Sequence, residues 1–289
     1  MSFGSCIAVI PTGARCVCHG IDIWLAHYDN IDDQQLAAMR TLLSEYEQVQ
    51  EQRFHFSDDR KRYLVTRAMV RTVLSRYAQV DPAQWQFTTN AYGRPEIAAL
   101  HEEATGLRFN VSHTRSLIAL GITRQRELGI DVECLGDRRV SLGVADHVFA
   151  REELAALRAV PPAGQSARFL EYWTFKEAYV KARGMGLSIP LDKFNFHFPD
   201  AHTVTFSTDP TLNDDPGRWA FWQFSPTPKH LLAVCAERLG RDELSIGFRL
   251  FTPTTMDIPT EIVCRKRSDS RDYHSSDLCK KHGIAFPLT

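Results

Sequence analysis

The chain has 289 residues, 44% hydrophobic and 24% charged, the make-up of a globular protein with enough apolar material for one large domain or two smaller ones. With 34 basic residues against 35 acidic ones the formal net charge is −1, so no overall field draws the chain to nucleic acid or an anionic membrane, and any anion site must be local. No apolar run reaches the length of a membrane span, and the apolar patch near the start lacks the basic stretch that would precede it in a signal peptide, so a cytosolic protein is expected.

In chain order, Cys16, Cys18 and His19 hint at a metal, but no second pair of ligands follows. The seven scattered cysteines read as free thiols of a reducing compartment. "IDIWLAHYD" (21–29) alternates as a strand does. "DDQQLAAMRTLLSEYEQVQ" has helical spacing, and "SDDRKRYLVTRAMVRTVLSRYAQV" predicts a second helix. Ser57 is its expected N-cap, Asp58 and Asp59 fill its first turn, and its outer face is basic. "WQFTTNAYGRPEI" predicts two short extended segments about a turn.

Three strands follow closely, "LRFNVS" (107–112), "SLIALGIT" (116–123) and "LGIDVE" (128–133), and their short links predict an antiparallel meander. "CLGDRRVSLG" reads as a loop and "VADHVFAREELAALRAV" as a helix that ends at 161–164. "SARFLEYWTFKEAYVKARG" predicts a mostly buried helix closed by Gly184. Strands are expected in "DKFNFHF", "HTVTFST", "WAFWQFS", "HLLAVCAE" and "LSIGFRLF". Beyond Pro253 apolar periodicity is lost, which predicts a tail.

Three stretches carry ionisable groups in unusual settings. In "LGIDVE", Asp131 and Glu133 are two apart on a strand and share a face. Either a hard cation such as Mg²⁺ offsets their repulsion, or both are solvated surface acids, and the hexapeptide alone favours the second. In "WTFKEAYVKARG", Lys176, Glu177 and Lys181 interrupt an aromatic helix. Glu177 and Lys181 stand at salt-bridge spacing, yet burial would demand stronger partners such as a metal or phosphates. In "FNVSHT", Ser112 and His113 close a strand, either as a phosphate cradle or as ordinary turn residues.

Taken together, "GRP" (93–95), "FNVSH" (109–113), "GIDVE" (129–133) and "WTFKEAYVKARGMGL" (173–187) resemble the 4′-phosphopantetheinyl transferases, specifically the longer Sfp-type single-chain class. The resemblance spans about residues 21–250, and the paired G-I-D-V-E and W-x-x-K-E-A-x-x-K motifs are its most specific part. It implies an α+β fold of two similar α/β subdomains about a pseudo-twofold axis, with coenzyme A in the cleft between them, and a monomer. The expected layout is an extension over 1–18, an N-terminal subdomain over 19–106, a C-terminal subdomain with the metal site over 107–252, and a tail or appendage over 253–289.

The implied reaction moves phosphopantetheine from coenzyme A to a serine of an apo acyl or peptidyl carrier protein, with release of adenosine 3′,5′-bisphosphate. Asp131, Glu133 and Glu177 match the family's metal ligands, for Mg²⁺ with Mn²⁺ as the alternative. Ser112, His113, Lys176 and Lys181 match its phosphate contacts, Arg62 its 3′-phosphate contact, and Arg94 lies near the nucleotide. Upstream lysines present in some relatives are replaced here by "EYEQVQEQ", which shifts the grip on the 3′-phosphate to Arg53, Arg62 and His113. Arg67 and Arg71 serve either this grip or packing. Glu177 and Glu153 are the candidate bases, with Lys181 beside them at the reaction centre. The segment 135–157, with Arg138 and Arg139, is where the carrier is expected to dock. Two other classes use similar residues, a non-catalytic coenzyme A or nucleotide binder and a metal-dependent phosphohydrolase or nuclease. The complete acid set argues against the first, and the lack of a broad basic stripe against a nuclease.

Overall fold

In a computed structural model of the chain, the described residues are 20–101, 106–136, 142–239, 244–253 and 258–268. Two sheets organise them. The first runs β12 (Ile258–Thr260), β11 (Ile246–Leu250), β1 (Ile21–Ala26), β5 (Leu117–Arg124), β4 (Leu107–Thr114), and only the β1–β11 pair is parallel. The second runs β13 (Val263–Arg267), β9 (Trp219–Thr227), β10 (His230–Glu237), β6 (Leu128–Cys134), antiparallel throughout. Two short ribbons stand apart, β2 (Phe87–Thr89) with β3 (Pro95–Ile97) and β7 (Phe194–His197) with β8 (Thr205–Thr208).

Strand alternation explains how the layers stack. In β1, Ile21, Ile23 and Leu25 join Ile130 and Val132 of β6 and Leu232 and Val234 of β10 in one apolar core between the sheets. Trp24 and Ala26 point the other way, into a core beneath α1 (Asp33–Arg40), α2 (Glu45–Arg53) and α3 (Ser57–Leu74). The outer face of the second sheet is covered by α6 (Pro162–Arg183), whose Phe175, Ala178 and Tyr179 pack with Phe221, Ala233 and Cys235. The result is a helix–sheet–sheet–helix stack.

Several expectations change. The helix predicted over 32–50 is two helices, because Ser44 and Glu47 form a capping box that starts α2 afresh. In α3 the N-cap is Phe56 rather than Ser57 and makes no side-chain cap, so Asp58 and Asp59 alone favour that terminus. The helix predicted over 144–160 is also divided, into α4 (Leu142–Val148) and α5 (Arg151–Arg158). Pro162 opens α6 instead of ending what precedes it, since a first-turn proline gives up no helical bond.

The meander does not form. β4 and β5 make a hairpin, but the far edge of β5 is taken by β1, with Trp24 opposite Leu120, so β6 pairs with β10 in the other sheet. The boundary expected at 106/107 does not follow the sheets, because β4 and β5 join β1 in the first sheet and β11 and β12 return to it from the end of the described chain. The expected tail also contributes, with β12 edging the first sheet and β13 the second. Residues 1–18 and 269–289 lie outside the described residues, as do Cys16, Cys18 and His19.

Candidate active site

The site lies where the edge strand of each sheet meets the other. In β6, Leu128, Ile130 and Val132 point into the inter-sheet core, so Gly129, Asp131 and Glu133 face α6. Gly129 is what lets that helix come close, since a Cβ there would stand 1.9 Å from the Ala178 carbonyl oxygen and 2.3 Å from the Ala182 nitrogen. This contact sets one turn of α6 directly over Asp131.

From that turn, Lys181 Nζ lies 2.6 Å from Asp131 Oδ1, and Ser112 on β4 donates to the same oxygen at 3.0 Å. Lys181 is also 3.0 Å from Ser112 Oγ, and the Val132 N–H donates to that hydroxyl at 3.2 Å. Asp131 is 4% exposed, and its second oxygen, Oδ2, is buried with no hydrogen-bond partner. One turn back on α6, half-buried Glu177 has its carboxyl pKa raised, first by burial and then by the charge of Asp131, against an opposing pull from Lys181. Glu133 continues the face of Asp131 and is half-buried.

His113, the next residue on β4, has its imidazole pushed down to about 4, first by desolvation and then by the cations of Arg62 and Lys181. His113 is exposed as a residue, yet the protein packed about its imidazole and the two cations beside it lower its pKa. Arg62 holds Asp59 at 2.5 Å.

Asp131, Glu177, Lys181, Ser112, His113 and Arg62 thus converge. Ser112 differs from expectation, because it is not at a strand end. β4 continues to Thr114, and Ser112 is a buried link between Asp131, Lys181 and β6. Among the described residues no group of three His, Cys, Asp or Glu side chains is gathered in a geometry ready for a metal, so the three-carboxylate set is not closed, and the Lys181 ammonium fills one oxygen of Asp131. The bare, buried Asp131 Oδ2 beside Glu177 still fits the donor chemistry of a hard cation, because Mg²⁺ is commonly held by one or two carboxylates, with water and phosphate completing its shell.

Lys176 and Glu153 are elsewhere, which corrects their expected roles. Lys176 is fully buried. Its ammonium pairs with Glu153 at 2.8 Å and donates to the carbonyls of Leu191 at 2.7 Å and Phe194 at 2.8 Å. Glu153 accepts from the backbone N–H of Ala150 and of Phe196. Residues 176 and 181 are five apart, so they leave a helix on different sides, and only one can face β6. Arg94 is likewise committed, to Glu96 at 2.8 Å, Glu127 at 2.7 Å and the Ala182 carbonyl. Gly184, at φ +63, leaves the room its guanidinium needs.

Arg71 is buried against Glu47 and caps the carbonyls of Pro82 and Trp85, so it serves packing; Arg67 reaches Glu47 from the surface. Arg53 bonds Gln50. Arg138 and Arg139 lie outside the described residues. Sequence reasoning missed the part played by Gly129. Its signal was a small residue one strand repeat before the acid.

Comparison with known proteins matches the chain in two parts. Residues 29–124 match the model of the 4′-phosphopantetheinyl transferase N-terminal region, and residues 127–235 match that of the 4′-phosphopantetheinyl transferase superfamily. The 4′-phosphopantetheinyl transferase HetI of a Nostoc species is 28% identical over 80% of this chain and 93% of its own length. The 4′-phosphopantetheinyl transferase Sfp of Bacillus subtilis is 30% identical over 64% of this chain and 77% of its own. The chain belongs to the 4′-phosphopantetheinyl transferases, of the Sfp type, and is an enzyme of the transferase class. Among the described residues no helix is long and apolar enough to cross a membrane.

Proposed function

We propose that this enzyme transfers the 4′-phosphopantetheine group of coenzyme A to a serine of an apo acyl or peptidyl carrier protein, with Mg²⁺, or Mn²⁺ in its place, and acts as a monomer. The observation that carries the reading is the Asp131–Lys181–Glu177 cluster, with Asp131 Oδ2 buried and unpartnered, in a chain of this family. The serine oxygen attacks the phosphorus that bears pantetheine. A new P–O bond forms, the bond to the diphosphate bridging oxygen breaks, and adenosine 3′,5′-bisphosphate leaves with that electron pair.

Glu177, through a carboxylate oxygen not engaged with the cation, takes the serine proton, directly or through a water. Lys181, fixed by Asp131 and Ser112, sets positive charge against the diphosphate. Asp131 and Glu177, with Glu133 beyond them, would hold the cation. When bound it would supply positive charge that offsets the charge gathering on the leaving group. Arg62 and His113 bind the 3′-phosphate end, and coenzyme A lies along the seam between the halves, which we take to be the two subdomains. The carrier docks over α4 and α5, where Val144 is exposed and a groove with Phe149 and Leu154 in its wall carries both Arg151 and Arg158 and the acids Asp146, Glu152 and Asp192.

The test combines the protein with coenzyme A, Mg²⁺ and apo carriers from fatty acid, polyketide and peptide synthesis, and follows each carrier by intact mass. The expected result is a phosphopantetheine gain on at least one carrier and none with Glu177→Gln. No gain on any carrier refutes the proposal.

A further inference from the structure

β6 is the last strand of its sheet, so the amides of its outer edge need acceptors from outside that sheet. Backbone from β4 does not supply them. The Ile130 N–H donates to Asn110 Oδ1 at 2.9 Å, and the Val132 N–H to Ser112 Oγ at 3.2 Å. Asn110 and Ser112 are two apart on β4, so both point across the seam, and they are 7% and 5% exposed. Asp131 sits between the two amides they hold. Ser112 also bonds the Asp131 carboxylate, whereas the recorded bond of Asn110 goes to the backbone one residue earlier.

We infer that Asn110 is a positioning residue for the transfer reaction: by clasping the Ile130 amide it fixes β6 against β4, so that the Asp131–Lys181 pair, set by the contact of α6 with Gly129, meets Ser112 and His113 across the seam. The inference rests on the proposed function. The clasp carries the geometry because the Ile130 amide is held across the seam by a side chain of β4, and the next side chain of β6 is the carboxylate itself. A shift of β6 along β4 would carry Asp131, and with it the Lys181 and Glu177 of the helix packed on β6, away from Ser112 and His113. Across the same seam Ser112 holds the Val132 amide, and Arg94 and Asn90 reach Glu127 and the carbonyls of Ala182 and Gly184, while the rest of the contact is apolar packing, which resists separation but does not set a register.

The experiment compares Asn110→Leu, which keeps volume and removes the acceptor, with Asn110→Asp, which keeps an oxygen acceptor at the same reach. Each is measured below its melting temperature for kcat, KM for coenzyme A, and hydrogen exchange of the Ile130 amide in the free protein. The expected result for Asn110→Leu is a kcat lower by about 10- to 100-fold, in line with the cost of misplacing reacting groups. Its KM for coenzyme A should hardly change, and the Ile130 amide should exchange faster while the Ala233 and Val234 amides stay protected. Asn110→Asp should recover both kcat and protection.

Wild-type kcat in a folded Asn110→Leu protein overturns the inference, as does an Asn110→Asp protein no better than the leucine variant. If Asn110→Leu does not fold, Asn110→Ala takes its place. If that too is unfolded, the residue is a folding requirement and the inference fails. Absence of transfer by the wild-type chain would instead strike the proposed function, and the exchange measurement would still report on the clasp.

Discussion

Replacing Lys176 separates two accounts of the same helix. Lys176 is 0% exposed, and each of its three ammonium hydrogens has an acceptor: Glu153 at 2.8 Å, Leu191 O at 2.7 Å and Phe194 O at 2.8 Å. The ammonium also lies 4.2 Å from the centre of the Phe194 ring. Burial lowers its pKa, and Glu153 opposes that shift. In Lys176→Met the stem volume is kept, but the Glu153 carboxylate is left buried with two backbone donors and no counter-charge, and two carbonyls lose a donor.

Removing one partner of a buried ion pair costs about 3–5 kcal/mol, a large share of the ~5–15 kcal/mol that holds a typical domain folded. We therefore expect a strongly lowered urea midpoint, with coenzyme A binding retained in whatever fraction stays folded. Lys176→Met/Glu153→Gln should lose less than the sum of the single variants, because the stranded group is then neutral and its one oxygen can still accept from one of the two backbone amides. The assay is urea unfolding followed by tryptophan fluorescence, alongside calorimetric titration of coenzyme A. An unfolding midpoint equal to wild type together with lost coenzyme A binding would refute this reasoning and restore Lys176 as a phosphate contact.

Other consequences follow from the same geometry. Gly129→Ala would force α6 off β6, a clash with backbone that side-chain motion cannot relieve; overpacking costs about 1–3 kcal/mol or more, and circular dichroism melts with transfer rates should fall together. Glu177 has a raised pKa, so its favourable contribution to folding is complete below the unfolded value and lost as pH rises through the folded one. Glu177→Gln should consequently melt higher than wild type at neutral pH while being inactive, and a melting advantage that persisted unchanged at pH ~4, near the ordinary carboxyl range, would contradict the assignment. His113, near 4 in the free protein, is neutral at pH 7, and a phosphate placed beside it would raise that value. Coenzyme A binding near pH 6 should take up a proton, visible as buffer-dependent heats in calorimetry and missing in His113→Gln.

Much of this was legible in the letters because it is local. Period-2 alternation marked β1, short apolar runs marked β4, β5, β9 and β10, helical spacing marked α1, and Gly184 closed α6 with the positive φ its position requires. The spacing of Asp131 and Glu133 put both carboxylates on one face, and the structure shows which, the face toward α6. What the letters did not decide was pairing. β6 follows β5 by three residues yet belongs to the other sheet, because the second edge of β5 is filled by a strand some hundred residues earlier in the chain. Residues of one helix were divided in the same way. Lys181 and Lys176 look alike in the motif, but the close approach of Ala178 and Ala182 to Gly129 turns Lys181 to the acid and Lys176 inward to Glu153. Side-chain type and spacing fix what a group can do and which side of its own element it leaves. Its partner depends on which distant segment fills the neighbouring edge, and only the assembled sheets decide that.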